Sequence, residues 1–193
     1  MSAPLDLNPA ATALVLIDMQ AGVLGMPLAP YSGEEVATSA SGLAAQLRRR
    51  HVPVVVVTVA FPAAGGPPVD APGPPMPERM PPGWEEVADG VAEDGDLRVV
   101  KQGWGAFAST DLEVQLRERG IDTVVLGGVA TNFGVEETAR EAVARGFAVV
   151  VVSDAASSVS SEHHNFAIKQ ILPMISRVRT VTEVVRGFGG PAA

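Results

Sequence analysis

One segment of the chain reads Val124-Val-Leu-Gly-Gly-Val-Ala-Thr-Asn-Phe-Gly-Val-Glu-Glu-Thr-Ala-Arg140. Its apolar start is typical of a buried strand, and the residues after Gly134 carry apolar side chains at helical spacing. A glycine-containing turn therefore joins a strand to the start of an amphipathic helix, where backbone N–H groups can hold a negatively charged oxygen. The same pattern also fits a plain connection between a strand and a helix, so a functional role for the turn needs support from other residues.

Apolar runs alternate with helical patterns along the rest of the chain. Each short apolar run is typical of a strand that is buried on both faces, as in a parallel sheet. The predicted strands are residues 13–17, 52–61, 97–100, 123–126, 147–152 and 177–181. Strands that alternate with helices of about ten to fifteen residues indicate βαβ units. We therefore predict the α/β class, as a three-layer α/β/α Rossmann-like sandwich with a mainly parallel sheet of five or six strands.

Length and charge limit the domain organisation and the partners. The chain has 193 residues, and we predict a single domain over residues 1–193 that includes a proline-rich loop at 62–83. That loop fits a lid, a subunit contact or a passive surface loop. The formal net charge is −8. Because nucleic acids are bound by clustered positive charge, no nucleic-acid partner is expected.

The residue types that are missing exclude several kinds of chemistry. The chain contains no cysteine, which excludes disulfides, thiolate metal sites and a cysteine nucleophile. The longest apolar run, residues 52–61, has about half the length that crosses a bilayer, and the first residues lack the pattern of a signal peptide. We therefore expect no membrane contact and, by default, a cytoplasmic location.

Two charged residues stand at the C-terminal ends of predicted strands. Asp18 follows the first strand and Lys101 follows the third. In open α/β sheets ligands bind beyond this edge, and a carboxylate beside an ammonium can hold or transfer a proton while a helix start receives developing negative charge. Taken alone, Asp18 also fits a helix cap or loop residue, and Lys101 a surface charge. Together with the turn at residues 128–134, they outline a hydrolase site.

Three segments contain these residues: Leu-Ile-Asp-Met-Gln20, Val-Val-Lys-Gln-Gly-Trp-Gly-Ala-Phe107 and Gly-Val-Ala-Thr-Asn-Phe-Gly-Val-Glu-Glu-Thr-Ala139. In this order they resemble the three motifs of the isochorismatase-like (cysteine hydrolase) superfamily, and the resemblance covers nearly the whole chain. It implies a Rossmann-like sheet, a homo-oligomer (dimer or tetramer), and hydrolysis of amide, imide or vinyl-ether bonds in a small-molecule substrate. It also implies that the family's aspartate is Asp18 and its lysine is Lys101.

The chain departs from the amidase branch of that superfamily at Gly134, where the branch has its nucleophilic cysteine. True isochorismatases also have glycine at this place, and the resemblance implies for them an aspartate that protonates a vinyl ether before water adds. It further implies a cis peptide bond between Val129 and Ala130, with the N–H groups of Ala130 and Gly134 directed at the oxyanion. The expected catalytic residues are therefore Asp18, Lys101 and Gly134.

Side chains near the motifs are candidates for contact with the substrate. The predicted substrate-binding residues are Phe61, Trp104, Phe107, Thr131, Asn132 and Phe133. The four aromatic side chains suit an apolar or aromatic molecule, although each also fits a role in the core or in a subunit contact. The segment after the second strand has Asp70 but no histidine, unlike the metal-binding nicotinamidases, so neither a metal nor another cofactor is expected.

Two functions from different classes fit these observations. The first is a cysteine-independent hydrolase that uses an Asp/Lys pair and a backbone oxyanion site. The second is a catalytically degenerate family member that binds a small molecule or a protein. The presence of both Asp18 and Lys101 favours the hydrolase, because a binding protein has no evident need for a pair that transfers protons.

Overall fold

A computed structural model describes residues 4–60, 69–71 and 80–189 of the chain. Within them lies one six-stranded sheet in the order β3-β2-β1-β4-β5-β6, and every neighbouring pair of strands is parallel. The strands are β1 (Thr12–Ile17), β2 (Val54–Val59), β3 (Leu97–Lys101), β4 (Thr123–Val129), β5 (Ala148–Ser157) and β6 (Arg177–Arg179). The predicted α/β class is confirmed, and the sheet is parallel throughout.

Helices cover both faces of the sheet. They are α1 (Ala21–Leu24), α2 (Gly33–Arg48), α3 (Leu112–Glu118), α4 (Glu136–Ala144), α5 (Ser161–Phe166) and α6 (Val181–Gly187). Alternate side chains of β1 enter two separate apolar cores: Leu14 and Leu16 pack with α2 and α6, whereas Val15 and Ile17 pack with α3 and α4. Because β1 is buried on both faces, its sequence is apolar without alternation.

The observed strands differ from the predicted ones at their ends. The second strand is shorter than the predicted 52–61, and the fifth extends past the predicted 147–152 to Ser157. The pairing of β4 with β5 shifts register between Leu126 and Gly128, an irregularity that hydrophobic patterns do not reveal. Most of the predicted proline-rich loop at 62–83 lies outside the described residues. No helix within residues 4–60, 69–71 and 80–189 is long and apolar enough to cross a membrane.

Candidate active site

The acid and the amine predicted from the sequence meet at the C-terminal edge of the sheet. Asp18 comes directly after β1, and Lys101 is the last residue of β3, so β2 lies between their strands. Nζ of Lys101 lies 2.8 Å from Oδ2 of Asp18 and donates a second hydrogen bond to the carbonyl oxygen of Gly103 at 2.9 Å. Lys101 is only 1% exposed. The pair is therefore a buried contact between parts of the chain that are distant in sequence.

The backbone of Asp18 turns sharply where β1 ends. Its N–H still donates to the carbonyl oxygen of Val57 on β2, at 2.9 Å, but its φ is +53°. Residues in this left-handed region are uncommon, and aspartate tolerates it better than most residues with a Cβ. Beyond Asp18 the chain leaves β2. The carboxylate is thus carried by the corner where the strand changes direction.

Burial and charge act in opposite directions on the Asp18 carboxyl. Burial disfavours the ionised form and raises the pKa of Asp18 from 3.8 to about 6, while the charge of Lys101 and its hydrogen bond lower it. Oδ1 of Asp18 is buried and has no hydrogen-bond partner among the described residues. A carboxyl with such a pKa is partly protonated near neutral pH, and it has one oxygen to offer to another molecule.

The turn after β4 brings bare backbone to the same carboxylate. Residues Thr131–Val135 form a π-helical turn, and the peptide bond between Val129 and Ala130 is cis. A Cβ placed on Gly134 would lie 3.4 Å from Oδ2 of Asp18 and 3.0 Å from Cγ2 of Ile17. Position 134 therefore borders the acid directly, as the predicted catalytic set requires.

A second glycine allows β4 to approach β1 so closely. Gly128 has a φ of +119°, and a Cβ there would stand 2.0 Å from the carbonyl oxygen of Ile17, the residue before Asp18. No side chain can be accommodated at that distance, because the obstacle is backbone. Gly128 thus allows the turn to lie against the end of β1.

Two polar residues of the turn form hydrogen bonds with other side chains of the protein. Thr131 is fully buried, and its Oγ1 lies 2.9 Å from Nδ1 of His164. Burial, together with the charge of Lys169, lowers the pKa of His164, which favours a neutral imidazole. Asn132 is half-buried, and its Oδ1 accepts a hydrogen bond from Oγ of Ser158. Thr131 was predicted as a substrate contact, but its hydroxyl instead supports the turn from within.

Of the four aromatic residues predicted to line a pocket, the structure describes three, and these three do not assemble as a group. Trp104 and Phe133 stack on each other with ring centroids 4.8 Å apart, and they are 60% and 41% exposed. Phe107 is 3% exposed and packs against Phe147 in the core. The carboxylate of Glu141 accepts a hydrogen bond from the N–H of Phe107 at 2.7 Å, which holds this part of the loop against α4. Phe61 lies outside the described residues.

The stacked pair borders a shallow depression on the surface. Trp104, Asn132, Phe133, Glu136 and Glu137 surround a volume of about 90 Å³. Gly103, whose carbonyl receives the second hydrogen bond of Lys101, directly precedes Trp104. Two of the four aromatic candidates and Asn132 therefore lie together, on the segment that follows Lys101 and on the turn after β4.

Sequence reasoning did not single out Gln20, a buried polar residue next to the site. Gln20 stands in the first motif and is 1% exposed, but a single sequence does not reveal the partner of its amide. Ser158, which donates a hydrogen bond to Asn132, was missed for the same reason.

Among residues 4–60, 69–71 and 80–189, no group of three or more histidine, aspartate or glutamate side chains is placed to hold a metal ion.

The fold of the chain agrees with its sequence relatives. The isochorismatase domain matches residues 12–183. The chain therefore belongs to the isochorismatase family, and its homologues support a hydrolase-like function.

Individual relatives extend this similarity over almost the full length. An uncharacterized isochorismatase family protein of Escherichia coli O157:H7, YecD, is 46% identical over 190 residues, covering 95% of this chain and 100% of that protein. Another from Bacillus subtilis (strain 168), YwoC, is 40% identical over 183 residues, covering 93% and 95%. The solved structure of an isochorismatase family protein from Burkholderia thailandensis has a TM-score of 0.90 and 41% identity, covering 97% and 100% of the two chains.

Proposed function

We propose that this protein is a hydrolase of a small molecule that works without a cysteine nucleophile and cleaves a vinyl-ether, imide or amide-like bond. Asp18 acts as general acid and base, and Lys101 is its electrostatic partner. The backbone N–H groups of Ala130 and Gly134 hold the oxyanion or position the attacking water. The observation that carries this proposal is the buried contact of 2.8 Å between Lys101 and Asp18, beside a position without a side chain.

The protonation behaviour of Asp18 supports acid–base chemistry. A catalytic acid works best when its pKa lies near the operating pH, and burial raises the pKa of Asp18 to about 6. The protonated carboxyl donates its proton to the leaving group or to a vinyl carbon, and the carboxylate then recovers a proton from the attacking water. Lys101 stays beside the carboxyl throughout and stabilises its ionised form.

The absence of a thiol supports direct attack by water. The chain contains no cysteine, and we assign Gly134 to the place of the nucleophile in the amidase branch. Because Gly134 leaves the space next to Oδ2 of Asp18 free of a side chain, a substrate atom or a water molecule can approach the acid there. The oxygen of water forms the new bond, and its proton passes to Asp18.

The remaining parts of the proposal concern the substrate and the assembly. Trp104, Asn132 and Phe133 border the depression and are the proposed substrate contacts, without a cofactor. We further propose one domain over residues 1–193, a homo-oligomer that is a dimer or tetramer, and a cytoplasmic location. These statements derive from the family resemblance and the sequence pattern.

A substrate screen with a matched variant tests the proposal. The wild type and Lys101→Ala are incubated with panels of small vinyl ethers, imides and amides, and product formation is measured. We expect turnover by the wild type of at least one class, with a large loss in Lys101→Ala, because the variant removes the charge that stabilises the Asp18 carboxylate. Turnover that is equal in both proteins would contradict the proposed roles. Binding of a panel compound without any turnover would support the alternative, a binding module.

A second variant tests the assignment of Gly134. Gly134→Cys places a thiol beside Asp18 at the position that carries the nucleophile in the amidase branch. If the surroundings resemble an amidase site, the variant gains activity on small amides that the wild type lacks. No gain across the amide panel in a folded variant would count against this assignment.

A further inference from the structure

The end of β2 contains a residue whose backbone N–H and carbonyl groups are paired by a side chain instead of a neighbouring strand. Val59 is the last residue of β2 and lies opposite Lys101 of β3 in the sheet register. On its other side β1 has already ended, because the chain turns away at Asp18. The N–H and carbonyl groups of Val59 that face this gap require partners, since unpaired buried backbone groups are costly.

The side chain of Gln20 fills this gap. The N–H of Val59 donates to Oε1 of Gln20 at 2.7 Å, and Nε2 of Gln20 donates to the carbonyl oxygen of Val59 at 3.3 Å. The primary amide thus forms both hydrogen bonds that one residue of a neighbouring strand would form. Asparagine and glutamine are the two residue types whose side chains carry the same amide N–H and carbonyl groups as the backbone, and glutamine has the longer reach.

The backbone around Gln20 follows a different path from its side chain. The carbonyl oxygen of Met19 accepts from the N–H of Ala88 at 2.9 Å, and the N–H of Ala21 donates to the carbonyl oxygen of Glu86 at 2.7 Å. The main chain after Asp18 is therefore bound to residues 84–88, while the amide of Gln20 reaches back to β2. Asp18 directly precedes the segment of residues 19–21 that makes these two attachments.

We propose that Gln20 is a positioning residue that holds Asp18 and Lys101 at their working separation. The amide joins the segment that carries Asp18 to Val59, and the N–H of the next residue, Ala60, donates to the carbonyl oxygen of Lys101 at 2.9 Å. The two charged residues are therefore linked across β2 through the backbone of residues 59 and 60. The inference rests on the proposed hydrolase, for which the geometry of this pair is decisive. The side chain of Gln20 forms its hydrogen bonds with Val59, so it acts on the acid and the amine through the sheet.

The variant Gln20→Met tests this role. It keeps the length and approximate volume of the side chain but removes both hydrogen bonds to Val59. Asp96→Asn is the matched control, because it weakens another buried hydrogen-bonded pair. That pair joins Arg48 to Asp96 at the start of β3, the end of the strand opposite Lys101. Thermal unfolding of the two variants and the wild type establishes that all are folded and shows the loss of stability in each.

Two measurements then separate positioning from a merely structural role. We expect kcat to fall by about 100-fold in Gln20→Met with little change in KM, since a misplacement of about 1 Å has effects of that size. The pKa of Asp18, followed by NMR with 13Cγ-labelled aspartate, should rise above its wild-type value because Lys101 no longer lies close enough to lower it. Asp96→Asn should change neither quantity.

The outcomes decide the inference even if the proposed function fails. If no panel compound is turned over by the wild type, the titration of Asp18 alone decides whether Gln20 positions the pair. If Gln20→Met does not fold, Gln20→Glu takes its place in the turnover assay. As a carboxylate, the new side chain retains an acceptor for the N–H of Val59 but loses the donor, so its kcat should lie below that of the wild type. A pKa and a kcat that match the wild type in a folded variant overturn the inference.

Discussion

The third strand carries one ion pair at each end, and the two pairs differ in how completely they are satisfied. Before β3, the guanidinium of Arg48 binds both oxygens of Asp96, the carboxylate of Glu93 and the carbonyl oxygen of Val91. At the end of β3, Lys101 binds Oδ2 of Asp18, while Oδ1 has no partner among the described residues. The first cluster is closed by its neighbours, and the second leaves one buried oxygen unpaired.

This difference separates a structural ion pair from a candidate catalytic one. The forked guanidinium of Arg48 suits the two oxygens of Asp96, and the N–H of Glu93 adds a further hydrogen bond to Oδ2. Such a pair offers little to a substrate. Lys101 is a compact cation, and the acid beside it combines a raised pKa with an open oxygen. Incomplete satisfaction of a buried polar group calls for an explanation, and the proposed hydrolase provides one, because a substrate or water would bind the open oxygen.

The largest contrast is expected when each acid is replaced by its amide. Asp18→Asn should lower turnover by about 10²- to 10⁴-fold, the range that general acid–base catalysis contributes, whereas Asp96→Asn should leave turnover close to that of the wild type. Steady-state rates on the compound found in the screen provide the measurement. Circular dichroism of both variants controls for folding. Equal losses of turnover in the two variants would remove the distinction between the two ends of β3.

The second contrast concerns stability when each cation is removed. Arg48→Met leaves the carboxylate of Asp96, whose side chain is 7% exposed, without its main partner. We expect a loss of about 3 to 5 kcal/mol in the free energy of unfolding, as for other broken buried pairs. Lys101→Met should cost less at pH 5, because the Asp18 carboxyl becomes protonated and no buried charge remains.

Urea unfolding at fixed pH measures this second contrast. The two methionine variants are compared with the wild type under identical conditions, and the slope with denaturant is checked so that midpoints can be converted to free energies. A greater loss of stability in Lys101→Met than in Arg48→Met at pH 5 would contradict the idea that protonation of Asp18 removes its buried charge.

The pH dependence of stability gives a third contrast. Because the pKa of Asp18 is about 6 in the folded state and 3.8 as its ordinary value, the folded protein binds more protons than the unfolded chain between these values. The contribution of Asp18 to stability is therefore fully present below pH 3.8 and is lost as the pH rises through about 6. The wild type should lose about 3 kcal/mol relative to Asp18→Asn over this window.

The measurement for the third contrast is the free energy of unfolding of both proteins from pH 4 to pH 7. Asp96→Asn serves as the control, because it removes an acid directly before β3 and leaves Asp18 in place. Parallel curves for the wild type and Asp18→Asn across this interval would show that the folded protein does not raise the pKa of Asp18.

The smallest contrast compares two glycines. Gly134→Ala should lower the free energy of unfolding by about 1 kcal/mol, because its Cβ would lie 3.0 Å from Cγ2 of Ile17, which must shift slightly. Gly42→Ala in α2, the helix that ends at Arg48, meets nothing within 4 Å and should raise stability by about 0.5 to 1 kcal/mol. Thermal unfolding checks both signs, and a stabilised Gly134→Ala would show that the space beside Asp18 is wider than described.

Much of this arrangement could be predicted from the sequence, because parallel strands direct their C-terminal ends to one edge of a sheet. The continuous apolar run before Asp18 and the shorter one before Lys101 were enough to place an acid and an amine at that edge. The turn around Gly134 followed from its position between a strand and an amphipathic helix.

Other features depend on contacts that no local pattern encodes. The amide of Gln20 pairs with Val59, and that partnership exists only because the chain leaves β2 after Asp18. Phe107 and Trp104 lie three residues apart in an irregular segment, where neither a helical nor a strand period tells which ring points inward. Thr131 was expected to face a substrate, but the imidazole that binds its hydroxyl comes from α5, a separate helix.

The order of the strands has a practical consequence for dividing the molecule. The strands β1, β2 and β3 all precede β4 in the chain, yet β4 lies directly beside β1 in the sheet. A break between Lys101 and Thr123 would produce one fragment with both charges and another with the glycine turn. Recovery of activity on mixing the fragments would then serve as a complementation reporter for the docking of β4 onto β1.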